Sequence, residues 1–245
     1  MASLWGVEQA AEHLGVSPRH VRSLIASERL PAQRLGSVWL LDPEAVRVRA
    51  REGAQAGRPF SPVLAWQALH VMDAMCVADD PRSPAAGVWE AIADRRVRHR
   101  LRQALADPRP SARWRHALGG RAKRLPVWAH PGVMQRMASD ERLRLGGSAA
   151  AAAHAVDAAD PQARRWYIDV DDLDAVLGEY RLKRDDFSEL DLMVIPHVVP
   201  VELRPAMGQP VPLAAALIDL LESPDARERH AAAQQLEPLH LSGAP

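Results

Sequence analysis

The strongest constraint on this chain is a short turn, Gly15-Val16-Ser17-Pro18, that separates two stretches with helical spacing of apolar residues. Glycine allows a tight turn, serine can accept a hydrogen bond from a free amide of the next helix, and proline suits a first helical position. The apolar positions on either side are Val7, Ala10, Ala11, Leu14, Val21, Leu24 and Ile25. The sequence therefore predicts two short helices that meet at a sharp turn and pack through these residues.

The second predicted helix keeps a polar surface close to its N-terminus. With its apolar residues turned inward, the outward positions are Arg19, His20, Arg22 and Ser23. A recognition helix presents side chains to the major groove of DNA from this part of its length. Arginine can read the edge of guanine or hold a phosphate, and histidine and serine can donate hydrogen bonds to either. These residue types at these positions indicate a DNA-reading helix.

The next segment predicts a small β-hairpin and a third helix. The run "LPAQRLGSVWLL" gives two short strands around Leu35-Gly36-Ser37, and "DPEAVRVRA" follows with helical spacing. This order of elements resembles the winged helix-turn-helix domain of excisionase and MerR-type proteins. The segments that match are the helix 7–14, "GVS" at 15–17, "VRSLIASERLPAQRLG" at 21–36, Trp39, and "DPEAV" at 42–46.

The resemblance implies that the N-terminal module binds double-stranded DNA. The residues expected to contact DNA are Ser17, Arg19, His20, Arg22, Ser23, Arg34 and Ser37. The wing departs from the family pattern of basic residues beside the wing glycine, because Arg34 is the one basic residue there. A single such module buries about 600–1,000 Å² on DNA. We therefore expect a second copy in a homodimer, or a basic part of the body, to add to binding.

The charge distribution divides the rest of the chain. The 245 residues have a net charge of zero, yet residues 82–144 carry +10 and residues 145–245 carry −9. Two explanations stay open: the basic segment faces a polyanion such as the DNA backbone, or the two segments neutralise each other. The arginines expected to form a secondary basic surface on DNA are Arg95, Arg98, Arg102, Arg113 and Arg115. The first three recur at spacings of three and four, which places them on one helical face.

A stretch containing glycine and proline near residue 58 predicts a boundary between two domains, 1–58 and 59–245. The second domain begins with helical patterns over "SPVLAWQALHVMDAM", "GVWEAIADRRVRHRLRQALAD" and "SARWRHALGG". Strand-like runs then alternate with short helices, and these runs are "RLPVWAH", "RLRLGG", "RRWYIDV" and "LDLMVIPHVVPVEL". The predicted fold class is α+β, with a winged helix-turn-helix followed by a helix-rich α+β regulatory or interaction domain.

The order of segments in residues 57–236 resembles actinobacterial helix-turn-helix proteins similar to the type IV abortive-infection antitoxins. The matching turns are Pro131–Gly132, Gly146–Gly147 and Ser223-Pro224-Asp225. In those families the N-terminal module binds promoter DNA. The C-terminal domain is associated with autoregulation and with opposing a nucleotidyltransferase-like toxin. The resemblance therefore implies a cognate toxin protein as an alternative partner.

An acidic cluster stands where a strand-like run passes into a helix, and its members are Asp169, Asp171, Asp172 and Asp174. Clustered carboxylates can hold Mg²⁺, which makes a metal-dependent nucleic-acid-processing enzyme a third hypothesis. The same acids suit the positive end of a helix, and we favour that interpretation. The sequence contains no phosphate-binding glycine motif and no serine-nucleophile elbow. We therefore expect no enzyme activity, no catalytic residue, no metal and no cofactor.

The apolar runs fall short of the roughly 20 residues that span a bilayer, and the N-terminus lacks the pattern of a signal peptide. The single cysteine, Cys76, forms no internal disulfide. We expect a cytoplasmic protein without membrane contact. The leading hypothesis is a DNA-binding transcriptional regulator that represses its own operon. The alternative is an antitoxin of a phage-defence toxin–antitoxin pair that neutralises a nucleotidyltransferase-like toxin and autoregulates.

Overall fold

The structure is a computed structural model. It describes residues 4–14, 16–26, 30–36, 38–56, 59–76, 78, 86–90, 92–106, 111–157 and 164–239. The chain divides into two compact units, Met1–Arg58 and Pro59–Pro245. Both units combine helices with short strands, and the fold class is α+β, as the sequence predicts.

The first unit packs three helices around a small antiparallel sheet. Its elements are β1 Trp5–Gly6, α1 Val7–Leu14, α2 Pro18–Ala26, β2 Ala32–Leu35, β3 Val38–Leu41 and α3 Pro43–Ala56. The strand order is β1-β3-β2, and the β2–β3 hairpin pairs Leu35 with Val38. Strand β1 was not predicted, because two residues are too few to show a period of two. The apolar faces of α1 and α2 meet in one core cluster with Leu41 and Val46, as expected from their spacing.

The second unit is a mixed sheet with helices on both faces. Its helices are α4 Pro62–Cys76, α5 Ala86–Glu90, α6 Arg95–Ala106, α7 Ser111–Leu118, α8 Pro131–Met137, α9 Gly147–Ala153, α10 Leu173–Glu179, α11 Leu213–Leu221 and α12 Ala226–Leu236, with a 3-10 turn at Val201–Leu203. Its strands are β4 Lys123–Trp128, β5 Arg144–Leu145, β6 Arg165–Asp169, β7 Lys183–Arg184 and β8 Asp191–Ile195. No helix among the described residues has both the length and the apolar character that crossing a bilayer requires.

The sheet of the second unit has the strand order β5-β6-β8-β4-β7. Strands β6 and β8 run parallel, the other neighbours run antiparallel, and every residue of the central strand β8 is buried. Tyr167, Met193 and Ile195 belong to a core shared with α4, α7, α9 and α11. Trp166 and Leu192 belong to a second core shared with α8 and α10. Successive strand residues point to opposite faces of the sheet and therefore pack against two different layers of helices.

Two element predictions in the body were wrong. The run predicted as one helix around residues 87–107 forms two helices, because the Asp94 carboxylate starts α6 by accepting hydrogen bonds from the amides of Arg96 at 2.7 Å and Val97 at 3.4 Å. The run predicted as strand-rich after residue 190 is a strand only as far as Ile195. Pro196 follows that strand, and proline cannot donate the next ladder hydrogen bond.

One buried network of charges joins the helical layer to the sheet. Arg121, in the turn between α7 and β4, has no solvent exposure. Its guanidinium donates to Asp219 on α11, and to the Oε1 and Oε2 atoms of Glu222 at 2.9 and 3.1 Å. Its Nε donates to the Tyr167 hydroxyl at 2.7 Å, and that hydroxyl donates to Asp219 Oδ1 at 2.8 Å. The network thus ties α11 and strand β6 to the α7–β4 turn.

Two further arginines complete the network. Arg165 on β6 donates to Asp219 at 3.1 Å and to Glu222 at 2.8 Å. The carboxylate of Asp191 on β8 lies 3.4 Å from Arg165 Nη2 and accepts from Arg124 Nε at 2.8 Å. Three guanidiniums therefore face three carboxylates. Burying an unpaired charge costs several kcal/mol of folding free energy. These side chains can therefore be buried only because the guanidiniums are paired with carboxylates.

The network changes the protonation behaviour of its members. Burial raises the pKa of the Glu222 carboxyl, but Arg121 and Arg165 outweigh burial and lower that pKa to about 2. Burial is the largest cause that raises the pKa of the Tyr167 phenol well above its usual value. Tyr167 therefore stays a neutral hydrogen-bond donor at physiological pH, while Glu222 stays ionised.

Replacing Arg121 with Met should lower the free energy of unfolding by about 3–5 kcal/mol, because the substitution leaves Asp219 buried with less compensating charge. Urea denaturation followed by circular dichroism measures the loss. The matched control is Arg227→Met, because the side chains of Arg227 and of its partner Asp157 are 79% and 87% exposed, and the loss should be about 1 kcal/mol or less. Equal losses in the two variants would contradict a special role for the buried guanidinium.

The lowered pKa of Glu222 predicts a pH dependence of stability. Its folded-state pKa of about 2 lies below the usual 4.5, so its pairing stabilises the fold fully above pH 4.5. That contribution is lost as the pH falls from about 4.5 to about 2, because the unfolded chain binds the proton more readily. We expect Glu222→Gln to be less stable than wild type at neutral pH and the difference to shrink through this window. Urea unfolding at several pH values tests this, and a pH-independent difference would contradict it.

Candidate nucleic-acid interface

The start of α2 is fixed by Ser17. Its Oγ accepts a hydrogen bond from the His20 amide at 3.2 Å, and its carbonyl accepts one from the Val21 amide at 3.2 Å. The hydroxyl therefore satisfies one of the amides that a helix leaves free at its N-terminus. Ser17 itself is exposed, so it borders the surface that α2 presents.

The packing of α2 decides which side chains reach solvent. Val21 and Leu24 are buried in one cluster with Ala10 and Ala11 of α1. The residues left exposed on α2 near its N-terminus are Arg19, His20, Arg22 and Ser23. Among the residues that the structure describes, neither Arg19 nor Arg22 forms an ion pair. Helix α2 therefore presents two guanidiniums and an imidazole to solvent beside a capped helix start.

The hairpin offers less positive charge than α2. Arg34 on β2 is exposed, but its Nε donates to the Gly36 carbonyl at 3.2 Å and its guanidinium lies 5.7 Å from the centre of the Trp39 ring. The tip carries apolar side chains, since Leu35 is 70% exposed and Val38 is 52% exposed. Ser37, the other predicted contact on the wing, lies outside the described residues.

Comparison with known families identifies the first unit. Residues 6–53 match the family model of a helix-turn-helix domain. This range contains α1, the turn, α2, the hairpin and most of α3. The first unit is therefore a helix-turn-helix DNA-binding domain, and the chain is a DNA-binding regulator in the general sense.

The family match ends at residue 53, within the first unit. Neither the curated proteins nor the solved structures contain a match to this chain. The resemblance of the body to the abortive-infection antitoxins, and the toxin partner that it implies, therefore stay predictions.

The arginines predicted to form a secondary basic surface lie on two helices. Arg95 and Arg102 are exposed on α6, and Arg98 is half-buried on the same helix. Arg113 and Arg115 are half-buried on α7. Of these five arginines, the two that are exposed therefore lie on α6.

Helix α6 carries three further basic residues that the prediction left out, and they are Arg96, His99 and Arg100, all exposed. Its buried residues are Leu101, Ala104 and Leu105. On a helix with 3.6 residues per turn, the side opposite these three is centred on His99 and Gln103, with Arg95 and Arg96 beside them and Arg102 at one edge. The spacing of the apolar residues was visible in the sequence and could have given this set.

The acidic cluster after β6 is held by arginines. Asp169 Oδ2 accepts from Arg144 Nη2 at 2.8 Å, and its Oδ1 lies 3.4 Å from Arg204 Nη1. Asp171 pairs with His197 at 3.1 Å. Among the described residues, no group of three His, Cys, Asp or Glu side chains could hold a metal ion.

The preferred interpretation of these acids as helix caps needs correction. Asp172 stands at the N-cap of α10, but its side chain makes no capping hydrogen bond, because its backbone is helical there and not extended. Asp169 instead neutralises arginines from β5 and from the segment after the 3-10 turn. Asp174 does lie in the first turn of α10, where its charge suits the helix dipole.

The double role of Ser17 can be separated by two substitutions. Ser17→Ala removes the acceptor from the cap and should lower the free energy of unfolding by about 1 kcal/mol. Ser17→Asp keeps an acceptor but adds a negative charge, so we expect near-wild-type stability with weaker binding to duplex DNA. Urea unfolding and DNA titration on the same samples measure both quantities. Unchanged DNA affinity in Ser17→Asp would place Ser17 away from the interface.

Proposed function

We propose that this protein is a transcriptional regulator that binds an operator in its own promoter and represses its own operon. The observation that carries the proposal is the pair of exposed guanidiniums, Arg19 and Arg22, at the capped start of α2 in a unit that matches a helix-turn-helix domain. A repressor of this kind acts by occupying promoter DNA that the polymerase must otherwise contact.

The packing of α2 in the first unit determines which of its side chains can contact DNA bases. Arg19 and Arg22 are three residues apart, which makes them neighbours on one side of the helix. Burial of Val21 and Leu24 fixes the rotation of α2, so this side faces outward. With α2 in the major groove, an arginine can bind the O6 and N7 atoms of guanine in a bidentate manner, which is worth about 1–3 kcal/mol of discrimination. His20 and Ser23 then hold phosphates or neighbouring base edges.

The proposal includes a homodimer on the operator and a binding role without catalysis. A single module with a wing tip of Leu35 and Val38 gives few charged contacts, and two copies on a two-fold operator supply twice that number. The pairing of Asp169 supports the non-enzymatic interpretation, because its Oδ2 accepts a hydrogen bond from Arg144 and its Oδ1 lies 3.4 Å from the guanidinium of Arg204. The mass of the protein–operator complex measures the number of copies.

Replacing Arg19 or Arg22 with Ala should weaken binding to the promoter DNA of the protein's own gene by about 5–150-fold, which corresponds to about 1–3 kcal/mol. Each variant should also tolerate more base changes at one operator position. Footprinting and titration against a set of single-base operator variants measure both effects. Arg227→Ala is the control, since Arg227 is an exposed arginine of the second unit. Wild-type affinity and wild-type sequence preference in both Arg19 and Arg22 variants would contradict the proposal.

A reporter experiment tests repression. The protein's own promoter is fused to a reporter gene, and reporter output is compared with the wild-type chain and with the Arg19→Ala, Arg22→Ala double variant. We expect the wild-type chain to lower the output and the double variant to restore it. Equal output in both strains, with both proteins present at equal levels, would rule out autorepression.

A further inference from the structure

Every ionisable residue within helix α6 is basic. Its twelve residues, Arg95–Ala106, contain five arginines and one histidine, and no aspartate or glutamate. Among the residues that the structure describes, these five arginines form no ion pair. A solvent-facing helix usually mixes both signs of charge, since opposite charges at spacings of three and four stabilise it. The like charges of α6 therefore destabilise the helix in isolation, and a negatively charged binding partner would offset their repulsion.

The charges on α6 contrast with those of the next part of the chain. Several acids of the C-terminal segment pair with arginines of residues 121–165. Asp219 and Glu222 bind Arg121 and Arg165, and Asp191 binds Arg124. The basic excess therefore divides into arginines that are neutralised within the fold and arginines on α6 that are not.

The α6 side chains form an ordered surface. Leu101, Ala104 and Leu105 anchor the helix in the core, and this fixes which side faces solvent. The guanidiniums of two flanking residues lie against aromatic rings: Arg100 is 5.5 Å from the centre of Phe60, and Arg102 is 5.0 Å from the centre of Trp89. Stacking of this kind restricts a long side chain while leaving its N–H groups free to bind an anion.

We propose that the exposed side of α6, formed by Arg95, Arg96, His99 and Arg102, is a second DNA-contact surface that binds the phosphate backbone of the duplex. This inference rests on the proposed DNA-binding function and extends it from the first unit to the second. The surface contributes affinity for any sequence, whereas α2 supplies the sequence preference.

The dimensions and chemistry of the surface fit a duplex. Arg95 and Arg102 are seven residues apart, which is about 10 Å along a helix. Duplex DNA carries about one phosphate charge per 1.7 Å of its axis, so about six phosphate charges lie within that length. Guanidiniums bind phosphate oxygens through paired N–H donors. The absence of any acid from the α6 sequence suits a uniformly negative partner, whereas a folded protein partner presents both signs of charge.

The test measures how DNA affinity of the full chain depends on salt. The variant Arg95→Gln, Arg96→Gln, Arg102→Gln removes three charges and keeps polar side chains. If each arginine neutralises one phosphate, the slope of log affinity against log salt should flatten by about 2.7. Between 50 and 200 mM salt, the wild type should then lose about 40-fold more affinity than the variant. The effect should be equal on the promoter DNA and on a random duplex of the same length.

Two controls test whether a change in the salt slope comes from the charges of α6 in particular. The variant with lysine at the same three positions retains the charges and should keep the wild-type slope. A second triple variant, Lys123→Gln, Arg184→Gln, Arg227→Gln, removes equal charge from exposed positions elsewhere on the second unit and should also keep that slope. Circular dichroism confirms that each variant is folded.

The outcomes separate this inference from the proposed function. A wild-type slope in the folded α6 glutamine variant overturns the inference and points to a protein partner for α6. Equal flattening in both glutamine triple variants also overturns it, because the effect would then come from net charge. A flattened slope on random duplex without preference for the promoter supports the α6 surface while contradicting the proposed operator. A wild-type chain that binds no duplex DNA contradicts both.

Discussion

The fold of the second unit depends on the burial of Arg121. This guanidinium has no exposure, and it lies between Asp219 on α11, Glu222 directly after α11, and the hydroxyl of Tyr167 on the sheet. A charge in this position is stable only if its partners are all in place, because removing any one leaves another charge buried without compensation. The α7–β4 turn, strand β6 and helix α11 can therefore assume these positions only together.

The same requirement explains the backbone around the network. The Asp219 carboxylate also accepts a hydrogen bond from the Gly147 amide at 2.8 Å, which brings the start of α9 against α11. A Cβ atom on Gly146 would lie 2.9 Å from both Asp219 Oδ2 and Tyr167 Cε2, so a side chain there would push the network apart. Gly147 has a φ of +57°, a conformation that glycine adopts without strain. Gly146 and Gly147 are thus needed because the backbone passes close to the network, and not because they make the chain flexible.

The network also bears on function, because it pairs Arg121 and Arg124 of the basic segment with Asp219, Glu222 and Asp191 of the acidic C-terminal segment. Arg121, Arg124 and Arg144 pair with acids of the C-terminal segment, whereas the arginines of α6 form no ion pair within the described part of the chain. The two explanations of the charge asymmetry therefore apply to different residues. Internal pairing accounts for Arg121, Arg124 and Arg144, and the α6 surface is the part available to a polyanion. In the first unit, the buried apolar core likewise fixes the orientation of α2, so that its charged side faces solvent.

The sequence by itself determined the local features. The turn at Gly15–Pro18, the capping serine and the apolar spacing of α1 and α2 act over a few residues, so the helix-turn-helix and the exposure of Arg19 and Arg22 could be inferred without a structure. Periodicity likewise gave the α+β class. Tertiary structure alone decided which charges are paired, since Arg121 and Asp219 are 98 residues apart and share no local pattern. It also decided that Asp169 pairs with Arg144 and does not cap a helix. Ion pairing in a folded chain depends on distance in space, and sequence spacing does not report that distance.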